Sequence, residues 1–122
     1  MTDGIRSFKD LKVWQQSVDL AVHVYAVTKA WPKEEMYGLT SQARRAATSI
    51  AANIAEGYGR ENRGSYQQFL RIAQGSLKEL ETHLIVAQRI DIATEAQMAE
   101  LNPQIESVGI LLRSLIRRLS EK

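Results

Sequence analysis

The sequence contains no cysteine. Disulfides and thiolate metal sites are therefore excluded. Histidine is almost as scarce, with only His23 and His83. Asp19 and His23 sit one helical turn apart, but two ligands do not make a metal site. Glu34-Glu35, Glu79 and Glu81 show no Glu-x-x-His pattern on two helices, so a bundle-type di-metal centre is not expected either. No stretch approaches the ~20 apolar residues of a membrane span. The opening "MTDGIRSFKDLK" is polar and lacks the apolar run of a signal peptide. A soluble, cytoplasmic protein is the expectation. Charge of one sign is missing as well: 16 basic against 14 acidic residues leave a net charge of +2. That balance does not by itself imply nucleic acid, so any such case must rest on where the charges sit.

What is present is helical periodicity, with no strand-like alternation. The chain's 122 residues suit one domain spanning 1–122. The first helix is expected over about 8–31, opened by a capping box of Ser7 and Asp10 and stopped by Pro32. Its stripe is Leu11, Trp14, Val18, Ala21, Tyr25 and Thr28. A second helix is expected over 39–56, with Gly57 as its C-terminal glycine. The turn "GYGRENRG" follows, its glycines available for positive φ. It is not a phosphate loop, because it lacks G-K-[ST] and follows a helix. A third helix, over 65–90, would be capped by Ser65 with Gln68. A fourth, over 94–120, would be capped by Thr94 with Gln97. Asn102-Pro103 predicts a kink or short break within this last rod. Four amphipathic helices with short connections predict an all-α, antiparallel up-down-up-down four-helix bundle.

Two features call for more than a core. Gln42, Arg45, Ser49, Asn53 and Glu56 form a polar strip on the second helix, beside its apolar stripe. The third helix offers Ser76, Glu79 and His83 as partners. An Arg45–Glu79 pair with Gln42, Ser49 and Asn53 nearby is the favoured arrangement, an inter-helix network that fixes register. A binding or catalytic groove is the other reading. The second feature is arginine. Arg60, Arg63 and Arg71 gather around the helix 2–3 turn, while Arg113, Arg117, Arg118 and Lys122 face Glu121 alone near the C-terminus. Both clusters suit phosphate contacts. Ordinary solvated charge, complementing the helix dipole at the C-terminus, is the plainer reading. Only Tyr58 and Tyr66 are near enough in sequence for base stacking. Ile110, Leu111 and Ile116 exceed the single stripe a bundle helix needs, so a wide core or a partner subunit must cover them.

The runs "FKDLKVWQQSVDLAVHVY", "WPKEEMYGLTSQARRAATSIAANIAEG" and "FLRIAQGSLKELETHL" resemble the 23S rRNA-intervening-sequence protein family of four-helix bundles. The resemblance covers about Phe8 to Leu84. The family often has Pro where this chain has Ala51, so a proline bend there is not implied. The accessory protein of diversity-generating retroelements looks like a relative. By resemblance, the chain is expected to be a homopentameric ring without enzymatic activity, cofactor or metal. Its implied partners are itself, RNA or DNA, and a reverse transcriptase. Nucleic acid would be bound through Arg60, Arg63, Arg71, Arg113, Arg117 and Arg118. The alternative is a protein-interaction scaffold with no nucleic-acid role.

Overall fold

The computed structural model of the chain describes residues 4–121, so Lys122 of the C-terminal basic cluster lies outside the described residues. Four α-helices account for most of it: α1 (Lys12–Thr28), α2 (Leu39–Gly59), α3 (Arg63–Arg89) and α4 (Glu95–Ser120).

Local chemistry sets the ends of these helices. Ser7 and Asp10 form the expected capping box, but it closes a single 3-10 turn at Phe8–Asp10. Leu11 then turns extended (φ −75°, ψ 125°), and α1 begins only at Lys12. Leu11 packs against the core and Phe8 meets Trp14 edge-on at 5.2 Å, so burial interrupts the run that periodicity made continuous. Gly38 has no side chain to cap α2; the Glu35 carboxylate accepts from the Leu39 amide at 3.1 Å instead. At α3 the cap is Asn62, whose Oδ1 accepts from the Ser65 amide at 2.9 Å. The helix therefore starts earlier than a Ser65–Gln68 box would place it. Thr94 and Gln97 make their expected box at α4.

Helix α2 continues past Glu56 and ends at Gly59. Gly57 lies buried inside it, where a Cβ would meet Phe69 Cβ at 2.7 Å. This glycine is present for close approach of α3, not for a left-handed turn. The residue that takes positive φ in the α2–α3 turn is Glu61 (φ 57°). Helix α4 likewise runs unbroken through Pro103, so the expected break is not formed. Proline has no N–H to offer the Ala99 carbonyl, and the helix loses that one bond.

Each helix packs on two others in a closed cycle, α1 on α4 as well as on its chain neighbour, and α2 most extensively on α3. The pairs run in opposite senses. Gln16 of α1 bonds Ser107 of α4, while His23, further along α1, reaches back to Glu100 and Gln104. Between α2 and α3, Ser49 meets Ser76 whereas the later Gly57 abuts Phe69. Between α3 and α4, Gln67 bonds Ser120 while Leu77 faces Gly109. The core runs the length of the bundle and includes Leu20, Ile50, Ile54, Leu70, Leu84, Leu101 and Leu112, all fully buried. Of the apolar surplus on α4, Ile116 is buried and Leu111 packs against the core; Ile110 stays half exposed. The wide core, rather than a partner, accounts for most of that surplus.

Candidate nucleic-acid interface

The polar strip of α2 does become an inter-helix network, but a smaller one than its spacing suggests. Ser49 Oγ and Ser76 Oγ lie 2.8 Å apart across the α2–α3 seam. Asn53 Nδ2 donates to the Ser49 carbonyl at 2.8 Å and to its Oγ at 3.0 Å. The Arg45–Glu79 ion pair is not formed. Both side chains are exposed, and Glu79 instead approaches His83 Nε2 at 3.5 Å. At a solvated rim an ion pair gains only ~0–1 kcal/mol, too little to hold two long side chains together. That 3.5 Å contact is no hydrogen bond: His83 Nε2 is buried without a partner. Gln42 is half-buried outside the network, and Glu56 turns to Arg60.

The six arginines divide by what they already hold. Arg60 pairs with Glu56 at 2.9 Å and lies over the Phe69 ring at 4.9 Å. Arg63 donates to the Leu119 carbonyl at 3.1 Å and the Glu121 carbonyl at 2.7 Å. It thereby satisfies carbonyls that the end of α4 leaves without intrahelical donors. Arg118 lies near the half-buried Tyr66. Burial, and then Tyr58, push the Tyr66 hydroxyl up to about 12, while the Arg118 charge pulls the other way. Tyr66 stacks edge-on with Tyr58 at 6.0 Å, so this pair is occupied in packing. Arg117 is exposed.

Arg71 and Arg113 come from different sequence clusters, yet they line one groove of about 360 Å³ between α3 and α4. Lys78 joins them there, and Gly75 and Gly109 contribute no side chain to its lining. A Cβ on Gly75 would meet nothing within 4 Å, so the groove stands open at that point. Lys78 is held loosely by Glu81 at 3.4 Å, both on the surface. Among the described residues, Arg71 and Arg113 have no carboxylate within ion-pair distance. Lys78 was not singled out by sequence. Its signal is the 71, 75, 78 spacing, which puts two cations and a gap on one helical face.

The groove continues along the same seam into a second cavity of about 470 Å³, which shares Leu77, Lys78, Gly109 and Arg113 with the first. Here Met98, Ile105 and Ile85 join the lining, and its charge changes sign at Glu81 and Glu106. Among the described residues no cluster of three or more His, Asp or Glu could hold a metal ion. None of their helices is long and apolar enough to cross a membrane.

A family model described as 23S rRNA-intervening sequence protein matches residues 9–114. Among solved structures, the chain is similar to a protein with unknown function from the S23 ribosomal protein family of Bacteroides thetaiotaomicron. The two share 28% identity and a TM-score of 0.80, over 86% of this chain and 95% of that one. No curated protein matches the sequence.

Proposed function

Because the chain belongs to the 23S rRNA-intervening sequence protein family, we propose that it is a non-enzymatic, cytoplasmic homo-oligomer that binds RNA or DNA through basic surface residues. The convergence of Arg71, Lys78 and Arg113 on one open groove carries this reading. Phosphate contacts of this kind supply affinity without sequence information. One subunit offers few of them, and a ring of subunits, five by resemblance, multiplies each patch. Arg60 and Arg63 contribute less, because their guanidinium groups already hold protein oxygens. The test is an anisotropy titration of labelled RNA and DNA across a salt series. Affinity should fall with salt at a log–log slope of about −0.7 per phosphate contact on single strands. Arg71→Ala/Arg113→Ala should weaken binding more than Arg60→Ala/Arg63→Ala does. Absence of binding at low salt ends this reading.

A second reading, a protein-interaction scaffold, has its own observation. Val18, Ala21, Val22, Tyr25 and Ala51 line an apolar groove between α1 and α2, with Val22 64% exposed. In the leading reading the same face is where subunits meet. Light scattering decides between these uses: a monomer at micromolar concentration removes the ring and leaves the face to another protein.

A further inference from the structure

Resting on the nucleic-acid reading, we infer that the α3–α4 cleft takes an unpaired nucleotide of a single strand, with its phosphate at the basic end and its base at the acidic end. The two cavities form one cleft because they share Leu77, Lys78, Gly109 and Arg113. Charge is ordered along it. Arg71 marks one end, Glu81 and Glu106 line the other, and Lys78 and Arg113 stand between. A phosphodiester is attracted to the first end and repelled from the second, so a bound strand has one favoured placement. Arg71 and Lys78 lie seven residues apart on one helix face. That is about 10 Å along the axis, so the cations serve a backbone passing through and not one compact ion.

The second half suits a base better than a backbone. The half-exposed Ile85 gives an apolar contact, with Met98 and Ile105 largely buried in the lining, and the groups around it include the carboxylates of Glu81 and Glu106 and the amide of Asn102. Carboxylates accept hydrogen bonds only. Adenine and cytosine present exocyclic amino donors at N6 and N4, whereas uracil presents the O4 acceptor at the corresponding place. The cleft therefore favours bases with an exocyclic amino group. In a duplex those groups are engaged in pairing, and a splayed single strand leaves them free.

The experiment uses labelled oligo(A), oligo(C) and oligo(U) of equal length, with a duplex of the same length, titrated against the full chain at low salt. Oligo(A) and oligo(C) should bind roughly 5- to 10-fold more tightly than oligo(U), the scale of one net hydrogen bond. Glu81→Ala/Glu106→Ala should bring oligo(U) level with the other two while overall binding persists. Both side chains reach the surface, and circular dichroism verifies that the variant folds. Equal affinities for the three oligonucleotides, a duplex bound as well as the single strands, or a preference that survives the double substitution would each overturn the inference and leave the basic-surface reading standing. No binding to any of the four removes both.

Discussion

Helix α3 meets α2 and α4 by different rules. Toward α2 the contact is close and the most extensive in the bundle, with the Ser49–Ser76 hydroxyl pair across it and Gly57 against Phe69. Toward α4 the helices also share core leucines, but above them the seam opens into a cleft lined by ions. Glycine shows the contrast in miniature. At Gly57 a methyl group has no room, whereas at Gly75 it has open space, and at Gly109 it would make only an ordinary contact with Leu77 at 3.5 Å. The first glycine is required by packing. The other two are not, and the space they leave is available to a ligand.

Substitutions on the two sides should separate accordingly. The largest loss is expected from Ile50→Ala on α2, whose side chain is fully buried. Denaturant titration should show a cost of about 2–5 kcal/mol, with no effect specific to the cleft. Gly57→Ala comes next, at about 1–3 kcal/mol, because the added methyl must displace Phe69. Gly75→Ala inverts the sign and is the sharpest test of the contrast. It should stabilise the fold by about 0.5–1 kcal/mol through helix propensity, while narrowing the groove and weakening oligonucleotide binding. If Gly57→Ala and Gly75→Ala melt alike, the distinction between the two seams is lost.

The smallest expected effect lies on a third seam. His23 turns both ring nitrogens toward oxygens of α4, Nδ1 to Gln104 at 2.5 Å and Nε2 to Glu100 at 3.0 Å. The Gln104 and Glu100 contacts raise its pKa above the ordinary 6.5, against a smaller opposing effect of burial. A raised folded-state value means the stabilisation is fully present below about pH 6.5 and is lost as pH rises through the folded value. Thermal melts from mildly acidic to mildly alkaline pH should show a small decline in the native protein, and a smaller one in His23→Gln. Equal pH profiles for the two proteins would show that the clamp contributes nothing.

Much of the fold was legible because helix periodicity is a property of the chain itself. The four helices and the box at Thr94 appear in the structure as read, but the first apolar stripe is shifted: Val13, Ser17, Leu20, Val24 and Val27 are buried, whereas Leu11, Trp14 and Val18 are half-buried and Tyr25 is 43% exposed. Where the reading failed, a choice between competing local partners was decided by tertiary contact. Asn62 rather than Ser65 caps α3, because Asn62 is extended just before the helix and its side chain accepts from the Ser65 amide. Gly57 lies inside the extended α2 as a packing residue, which its turn-like surroundings concealed. The Ser49–Ser76 link was within reach of spacing arguments, whereas the Arg45–Glu79 pair failed because neither side chain is driven out of water. The basic groove was half legible. Arg71 and Arg113 were visible as charges, but their meeting depends on the α3–α4 register, which no single helix encodes.

Arg63 ties the start of α3 to the last carbonyls of α4. Unwinding of the final α4 turn consequently releases this guanidinium, and the two events are linked. Amide exchange at Leu119 and Ser120 would report how often the charge is free. An anion that captures Arg63 would compete with the protein's own C-terminal carbonyls, and would leave its trace as lost protection in a helix it never touches.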